Sequence, residues 1–214
     1  MPENAATVEF WKGDFGNEYT RRIAGEDIIC QREAFLTHAL RKIDRGDFGL
    51  IRSIIEFGAN RGLNLLALKR IAPGLKMTAV EINESAAAEL EKIEGVQVAD
   101  SDMLKVRNWG QHDLSLSIGV LIHINPKDLE KAYNALYCSS RRYILISEYY
   151  NPKPVAIEFQ GRSDVLWKRD FAGEMLDLYP DLRVVDYGFT WRRDPVMPLY
   201  DLTWFLLEKA PSKC

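Results

Sequence analysis

Ser53-Ile54-Ile55-Glu56-Phe57-Gly58-Ala59-Asn60-Arg61-Gly62-Leu63 leaves few folds open to this chain. Ile54, Ile55 and Phe57 read as a buried strand that turns sharply into a helix from Leu63 to Arg70, stopped by Pro73-Gly74. Gly58 and Gly62 allow backbone angles or close approaches that a Cβ would block. A Gly-rich turn from strand to helix is where open α/β sheets bind nucleotide-like ligands.

The loop's details choose among such ligands. A dinucleotide fingerprint needs G-x-G-x-x-G, so that backbone can press against a pyrophosphate. Asn60 occupies the position of the second glycine. A P-loop needs G-K-[ST], but Gly62 is followed by Leu63-Asn64, and Glu56 would repel phosphate. A ligand with a cationic amino acid tail and no phosphate fits better, and S-adenosyl-L-methionine (SAM) carries an ammonium and a sulfonium. The pattern Glu56-x-Gly58-x-x-x-Gly62 resembles the first motif of class I SAM-dependent methyltransferases.

With 214 residues, 47% of them apolar, the chain suits one α/β domain over 1–214: an N-terminal helical lid over 1–50 and an α/β core over 51–214. A net charge of -3 argues against a nucleic-acid surface. Cys30, Cys138 and Cys214 form neither a zinc spacing nor a disulfide framework, which points to a reducing, cytoplasmic setting. There is no signal-peptide pattern, no apolar run of membrane-spanning length and no metal-ligand cluster. Oligomeric state is not legible.

Before the first strand, Phe10 to Arg22 is aromatic, charged and Gly-punctuated, and a helix fits Ile28 to Ile43. The segment can lie over the open end of the sheet. Most of its aromatics read as packing anchors, with Tyr19 as the cap of a cofactor site. The second strand, Lys76 to Ile82, ends on Glu81-Ile82. A carboxylate there can accept ribose hydroxyls, in an NAD enzyme as well as with SAM, and as a strand-end group it should contribute little to the core. Asn83 caps a helix from Glu84 to Ile93. A third strand, Val96 to Ala99, leads to Asp100-Ser101-Asp102, where either acid can meet an adenine amine and Asp102 can instead cap the next turn.

The fourth strand runs from Asp113 to Ile118-Gly119-Val120, which would line the reactive end of the cofactor site. Beyond it, Asn125 caps a helix with Pro126 at its first position. His123 can take a proton from an acceptor group, or it can order the loop. After the fifth strand, Arg142 to Tyr150, a helix is expected from Asp164 to Leu178 with Trp167, Phe171, Met175 and Leu178 on its apolar face. Tyr149, Tyr150, Arg162, Lys168 and Arg169 are candidates for holding the acceptor, the cations by gripping a carboxylate or phosphate. Two final strands, Leu182 to Phe189 and Leu199 to Leu207, should pair as a hairpin.

This order of elements resembles the doubly wound, seven-stranded, Rossmann-like class I methyltransferase sheet with its last strand antiparallel. Phe10 to Tyr19, Gly119 to Pro126 and Lys168 to Glu174 resemble the pseudaminic acid biosynthesis-associated methylases, with Ile23 departing from that pattern where a polar residue is expected. The resemblance implies methyl transfer from SAM, leaving S-adenosyl-L-homocysteine, to a small-molecule acceptor in a sugar-modification setting. The acceptor oxygen or nitrogen would attack in line with the departing sulfur. Two rival readings are an NAD-linked oxidoreductase on a similar sheet and a non-catalytic SAM-binding protein.

Overall fold

The computed structural model describes residues 5–23, 25–43, 51–105 and 108–210. The end of the expected lid segment, 44–50, and Cys214 lie outside them. Strands β1 (Ser53–Phe57), β2 (Lys76–Glu81), β3 (Val96–Asp100), β4 (His112–Ile118) and β5 (Ser140–Glu148) pair in parallel. A short antiparallel pair, β6 (Val155–Ala156) and β7 (Trp167–Lys168), stands apart from them. Strands β8 (Leu182–Phe189) and β9 (Thr203–Lys209) complete a seven-stranded sheet of order β3-β2-β1-β4-β5-β9-β8. β9 is antiparallel to both neighbours, so the anticipated hairpin exists and its second arm is inserted beside β5.

The sheet is covered on both faces. Helices α1 (Ala5–Lys12), α2 (Asp14–Arg22) and α3 (Glu26–Ala39) precede β1; α4 (Leu63–Ile71) and α5 (Glu84–Leu90) follow β1 and β2; α6 (Leu129–Ser139) follows β4; α7 (Phe171–Leu178) precedes β8. Side chains alternate across a strand, so β1 feeds both layers. Ile54 joins Phe35, Leu36, Leu40, Leu65 and Leu68 under α3 and α4. Ile55 and Phe57 join Tyr133, Leu136, Phe171 and Met175 under α6 and α7. Glu56 shares the Ile54 face, and that places its carboxylate beneath α3 and α4.

Two helix expectations change. The segment 164–170 is not helical: Trp167 and Lys168 pair with Ala156 and Val155, and the helix begins only at Phe171. The Asp170 carboxylate accepts from Gly173 N at 2.9 Å, so a side-chain cap competes with continued helix at that point. Leu178, expected inside, is exposed. Asn125 does cap, accepting from Lys127 N at 3.1 Å, but Pro126 opens a 3-10 turn (Pro126–Asp128) and α6 starts at Leu129.

Candidate functional site

β1 pairs with β2 on one side and β4 on the other, so the chain reverses its direction of winding between β1 and β4. A cavity opens at the carboxyl ends of these strands, as the geometry of such a switch point dictates. Its walls come from the loops after β1, β2, β3 and β4, and its roof from α1, α2 and α3.

The floor is the Gly-rich loop. Gly58, with φ +71°, and Asn60 line the cavity. Asn60 holds a left-handed φ of +48°, which Asn tolerates better than most residues. Its Oδ1 folds back onto Arg61 N at 2.7 Å, so the side chain seals the place where a pyrophosphate would need bare backbone. Gly62 does not line the cavity. At φ +81° it opens α4, and a Cβ there would come within 2.5 Å of Ile93 and 2.7 Å of Leu90, so this glycine serves helix packing.

Glu81 is buried on the cavity wall. Its Oε2 accepts from Asn60 N at 2.7 Å, and its Oε1 from Ile82 N and Asn83 N at 2.9 and 2.8 Å. Burial raises its pKa, and the three N–H donors oppose that shift. A carboxylate has about four lone-pair positions, so one on Oε2 remains for a ligand hydroxyl. The carboxylate also ties the Gly-rich loop to the turn after β2, which corrects the expectation that it contributes little to the framework. Ile82 lines the cavity beside it.

Deeper in, polar atoms are left without partners. Asn64 donates its Nδ2 to Glu56 Oε1 at 2.6 Å. Asn64 Oδ1, Glu56 Oε2, and Nε and Nη1 of Arg32 are buried with no hydrogen-bond partner among the described residues. Arg32 and Asn64 line the cavity, and Glu56 lies fully buried behind them. Burial pushes the Glu56 carboxyl up to about 8, held back by the Asn64 bond and the Arg32 charge. Two donors on a cation and two acceptors, one of them acidic, are thus buried at this side of the cavity.

At the far wall, Ile118, Gly119, Val120 and His123 line the cavity. His123 Nδ1 lies 2.7 Å from Val165 O, so Nδ1 carries the proton and Nε2 keeps its lone pair. Burial lowers its pKa to about 4, so the ring is neutral near pH 7. Trp11 stacks obliquely on it, ring centroids 4.5 Å apart, with the indole N–H buried and without a partner among the described residues. Ser101 and Asp102 line the adjoining wall, and Asp102 Oδ1 caps the next turn through Leu104 N at 2.9 Å. Asp100 is exposed and off the cavity.

Tyr19, the expected cofactor cap, lines the cavity from the roof; burial and the neighbouring Tyr200 raise its pKa. The roof is latched by Asn83 Nδ2, which donates to Trp11 O at 2.9 Å and Asn17 Oδ1 at 3.0 Å, and by Arg61 Nη1, which donates to Thr20 O at 3.3 Å. Gly16 permits that docking, since a Cβ would run into Trp11 O and lie 2.8 Å from Asn83 Nδ2. Ile23, the departure from the family pattern, also lines the cavity.

The five acceptor candidates do not line this cavity. Arg162 pairs with Asp164 at 2.9 and 3.0 Å, and Arg169 with Glu174 at 2.7 Å. Lys168 sits 5.1 Å from the Tyr149 ring centroid with no carboxylate partner among the described residues. Tyr150 is exposed and bridges to Arg169. Sequence reasoning missed Arg32, Asn64, Arg61 and Trp11. For Arg32 a signal existed: it falls on the inward row that continues through Phe35, Leu36, Ala39 and Leu40, a charge on an apolar stripe.

Among the described residues no helix is long and apolar enough to cross a membrane, and no group of His, Cys, Asp and Glu could hold a metal ion. No family model and no curated protein matches the chain in sequence. Solved structures do match in shape. Magnesium protoporphyrin IX methyltransferase from Synechocystis PCC 6803 with bound SAH aligns at TM-score 0.69 and 16% identity, over 97% of this chain and 100% of that one. The 1,6-didemethyltoxoflavin-N1-methyltransferase of Burkholderia thailandensis, with 1,6-didemethyltoxoflavin and S-adenosylhomocysteine, aligns at 0.70 and 17%, over 99% and 91%. The plantazolicin methyltransferase BpumL, with a pentazolic analogue and SAH, aligns at 0.65 and 12%, over 98% and 96%. The chain has the Rossmann-like fold of these methyltransferases.

Proposed function

We propose that this chain is a class I SAM-dependent methyltransferase acting on an oxygen or nitrogen of a small-molecule acceptor. The observation that carries the reading is the set of orphaned buried atoms on Arg32, Asn64 and Glu56. Leaving such atoms unpaired costs about 1–3 kcal/mol each, so their convergence calls for a ligand that satisfies donors and acceptors together. An α-amino acid does so: its carboxylate suits the Arg32 guanidinium, and its ammonium suits Asn64 Oδ1, with the Glu56 carboxyl behind it, whose ionised form a bound cation would favour. Glu81 offers one lone pair to a ribose hydroxyl, and Asp102 and Ser101 supply polar groups for a purine edge. Bound there, SAM supplies an electrophilic methyl group on a sulfonium that is already a good leaving group.

The chain's residues then position and desolvate the reactants. The roof of α1 and α2 excludes water. His123 Nε2 accepts the proton of an attacking hydroxyl; a weak base suffices, because the oxygen becomes strongly acidic as its new bond to carbon forms. The sugar or sugar-derived acceptor, in the cytoplasm, rests on the resemblance of Phe10–Tyr19, Gly119–Pro126 and Lys168–Glu174 to the pseudaminic acid biosynthesis-associated methylases. The structural neighbours act on small molecules of other kinds, so they support the reaction and leave the acceptor to the resemblance. Of the three candidate cations Arg162, Lys168 and Arg169, Lys168 is the one with no carboxylate partner among the described residues, and it is our candidate for an anionic group on the acceptor.

Titration calorimetry with SAM, S-adenosylhomocysteine and NAD tests the cofactor. Binding of the first two and not the third is expected, and tight NAD binding with no heat from SAM would overturn the reading.

A further inference from the structure

Gly119 marks the end of β4, and its N–H donates to Ser147 O of β5 at 2.9 Å. The chain then makes one 3-10 turn, Leu121–His123, before turning toward α6. The first N–H groups of such a turn have no partner within it. Here all are taken by one side chain from the neighbouring strand. Glu148, the last residue of β5, accepts at Oε1 from Val120 N (3.1 Å) and Leu121 N (3.0 Å), and at Oε2 from Ile122 N (3.4 Å). Ser117 Oγ adds a longer contact to Oε1 at 3.4 Å. The carboxyl group is buried and does not line the cavity; burial pushes its pKa up to about 8, and the three backbone N–H bonds hold that shift back.

His123 occupies the other end of the same turn. Its backbone N–H donates to Val120 O at 2.9 Å, and its ring is tied to Val165 O at 2.7 Å. The imidazole is therefore fixed by two anchors: Val165 holds the ring, and Glu148 holds the turn that carries it. A hydroxyl or amide in place of Glu148 would not present two oxygens to three successive N–H groups. We propose that Glu148 is a positioning residue for the reaction, whose carboxylate sets where the His123 imidazole stands at the reactive end of the cavity. This deepens the methyltransferase reading and takes from it only that His123 faces the reacting atoms.

The test reads the turn and the imidazole directly. Glu148→Gln keeps size but turns an NH₂ group toward backbone N–H donors. NMR titration of His123, assigned by the signal lost in His123→Gln, is expected to move from about 4 toward the ordinary 6.5. Amide exchange at Val120, Leu121 and Ile122 should speed up at least about tenfold while β1 and β4 amides stay protected. Ser117→Ala, which leaves the three N–H bonds in place, should titrate like the parent. A folded Glu148→Gln protein with parental His123 titration and parental exchange would overturn the proposal. Should Glu148→Gln fail to fold, Glu148→Asp decides: one methylene shorter, it cannot reach all three donors, so a parental titration there overturns the proposal equally. SAM calorimetry on the parent keeps the two readings apart, since absent SAM binding sinks the methyltransferase assignment and leaves the titration result to stand.

Discussion

Arg32→Met separates binding from folding in an unusual direction. The methionine fills similar space without the guanidinium. Arg32 Nε and Nη1 are buried and unpaired among the described residues, so removing them relieves about 1–3 kcal/mol for each donor. Against this, Glu56 loses the cation that lowers its pKa, the lesser of the influences acting on it after burial and the Asn64 bond. Near pH 7 the acid answers by staying protonated, which limits the loss to about 1.4 kcal/mol per unit of pKa. The variant should therefore be as stable as the parent or more so, by about 1–3 kcal/mol in urea unfolding. SAM affinity should move the other way. Two charge-assisted bonds of about 1.5–3 kcal/mol each disappear. We expect a loss of about 3–4 kcal/mol, a Kd raised roughly 10²–10³-fold. 5′-Methylthioadenosine, which keeps the nucleoside and lacks the amino acid, should bind both proteins within about threefold. Paired calorimetry with the two ligands checks this. Equal weakening of both, or a destabilised variant that binds SAM like the parent, would refute the assignment of Arg32 to the carboxylate.

Glu81→Ala should lose SAM affinity by about 1–3 kcal/mol and also lower stability by about 2–4 kcal/mol, because three N–H groups lose their acceptor; denaturant unfolding beside calorimetry reads both, and unchanged stability would contradict the bonds described. Burial lifts Glu56 to about 8, so between pH 5 and 8 the folded state holds a proton that the unfolded chain has released, and stability should fall as pH rises through that window; Glu56→Gln should flatten the slope measured by thermal melts at several pH values. His123→Ala should keep SAM affinity and lower turnover by about 10²-fold or more on a hydroxyl acceptor. With the parental imidazole near 4, its limb should lie below pH 5, so a parental limb near 6.5 that vanishes in the variant would contradict the buried, neutral ring.

The parts of the site that announce themselves in sequence are those whose geometry is local. Gly58, Asn60 and Gly62 constrain their own backbone, and Glu81 ends a strand at a fixed distance behind them. Arg32 is harder, because its role exists only when α3 folds back over β1. Its trace is a cation on an apolar helical row, matched by an acid inside the apolar run of β1. Two opposite charges interrupting two buried runs were readable as a pair; neither was informative alone. The 164–170 segment misled for another reason: Trp167 and Phe171 have helical spacing, yet Asp170 stops the helix between them and Trp167 packs from a strand. Gly62 carried a correct signal with a different cause, since it makes room for Leu90 and Ile93 rather than for a ligand.

The place of β9 has a consequence for the order in which the molecule can assemble. It lies between β5 and β8, pairing Tyr143 with Glu208 and Phe189 with Thr203. The strand that joins the two halves of the sheet therefore follows in sequence both of the strands it joins. Until residues 203–209 are available, β5 keeps a bare edge with Ile144, Leu145 and Ile146 beside it, and β8 has no partner. Helix α7 can nucleate earlier on its own cap, but its strand cannot register. Folding of this end must wait for a late, non-local closure, and an unfinished chain exposes a pairing edge during that wait.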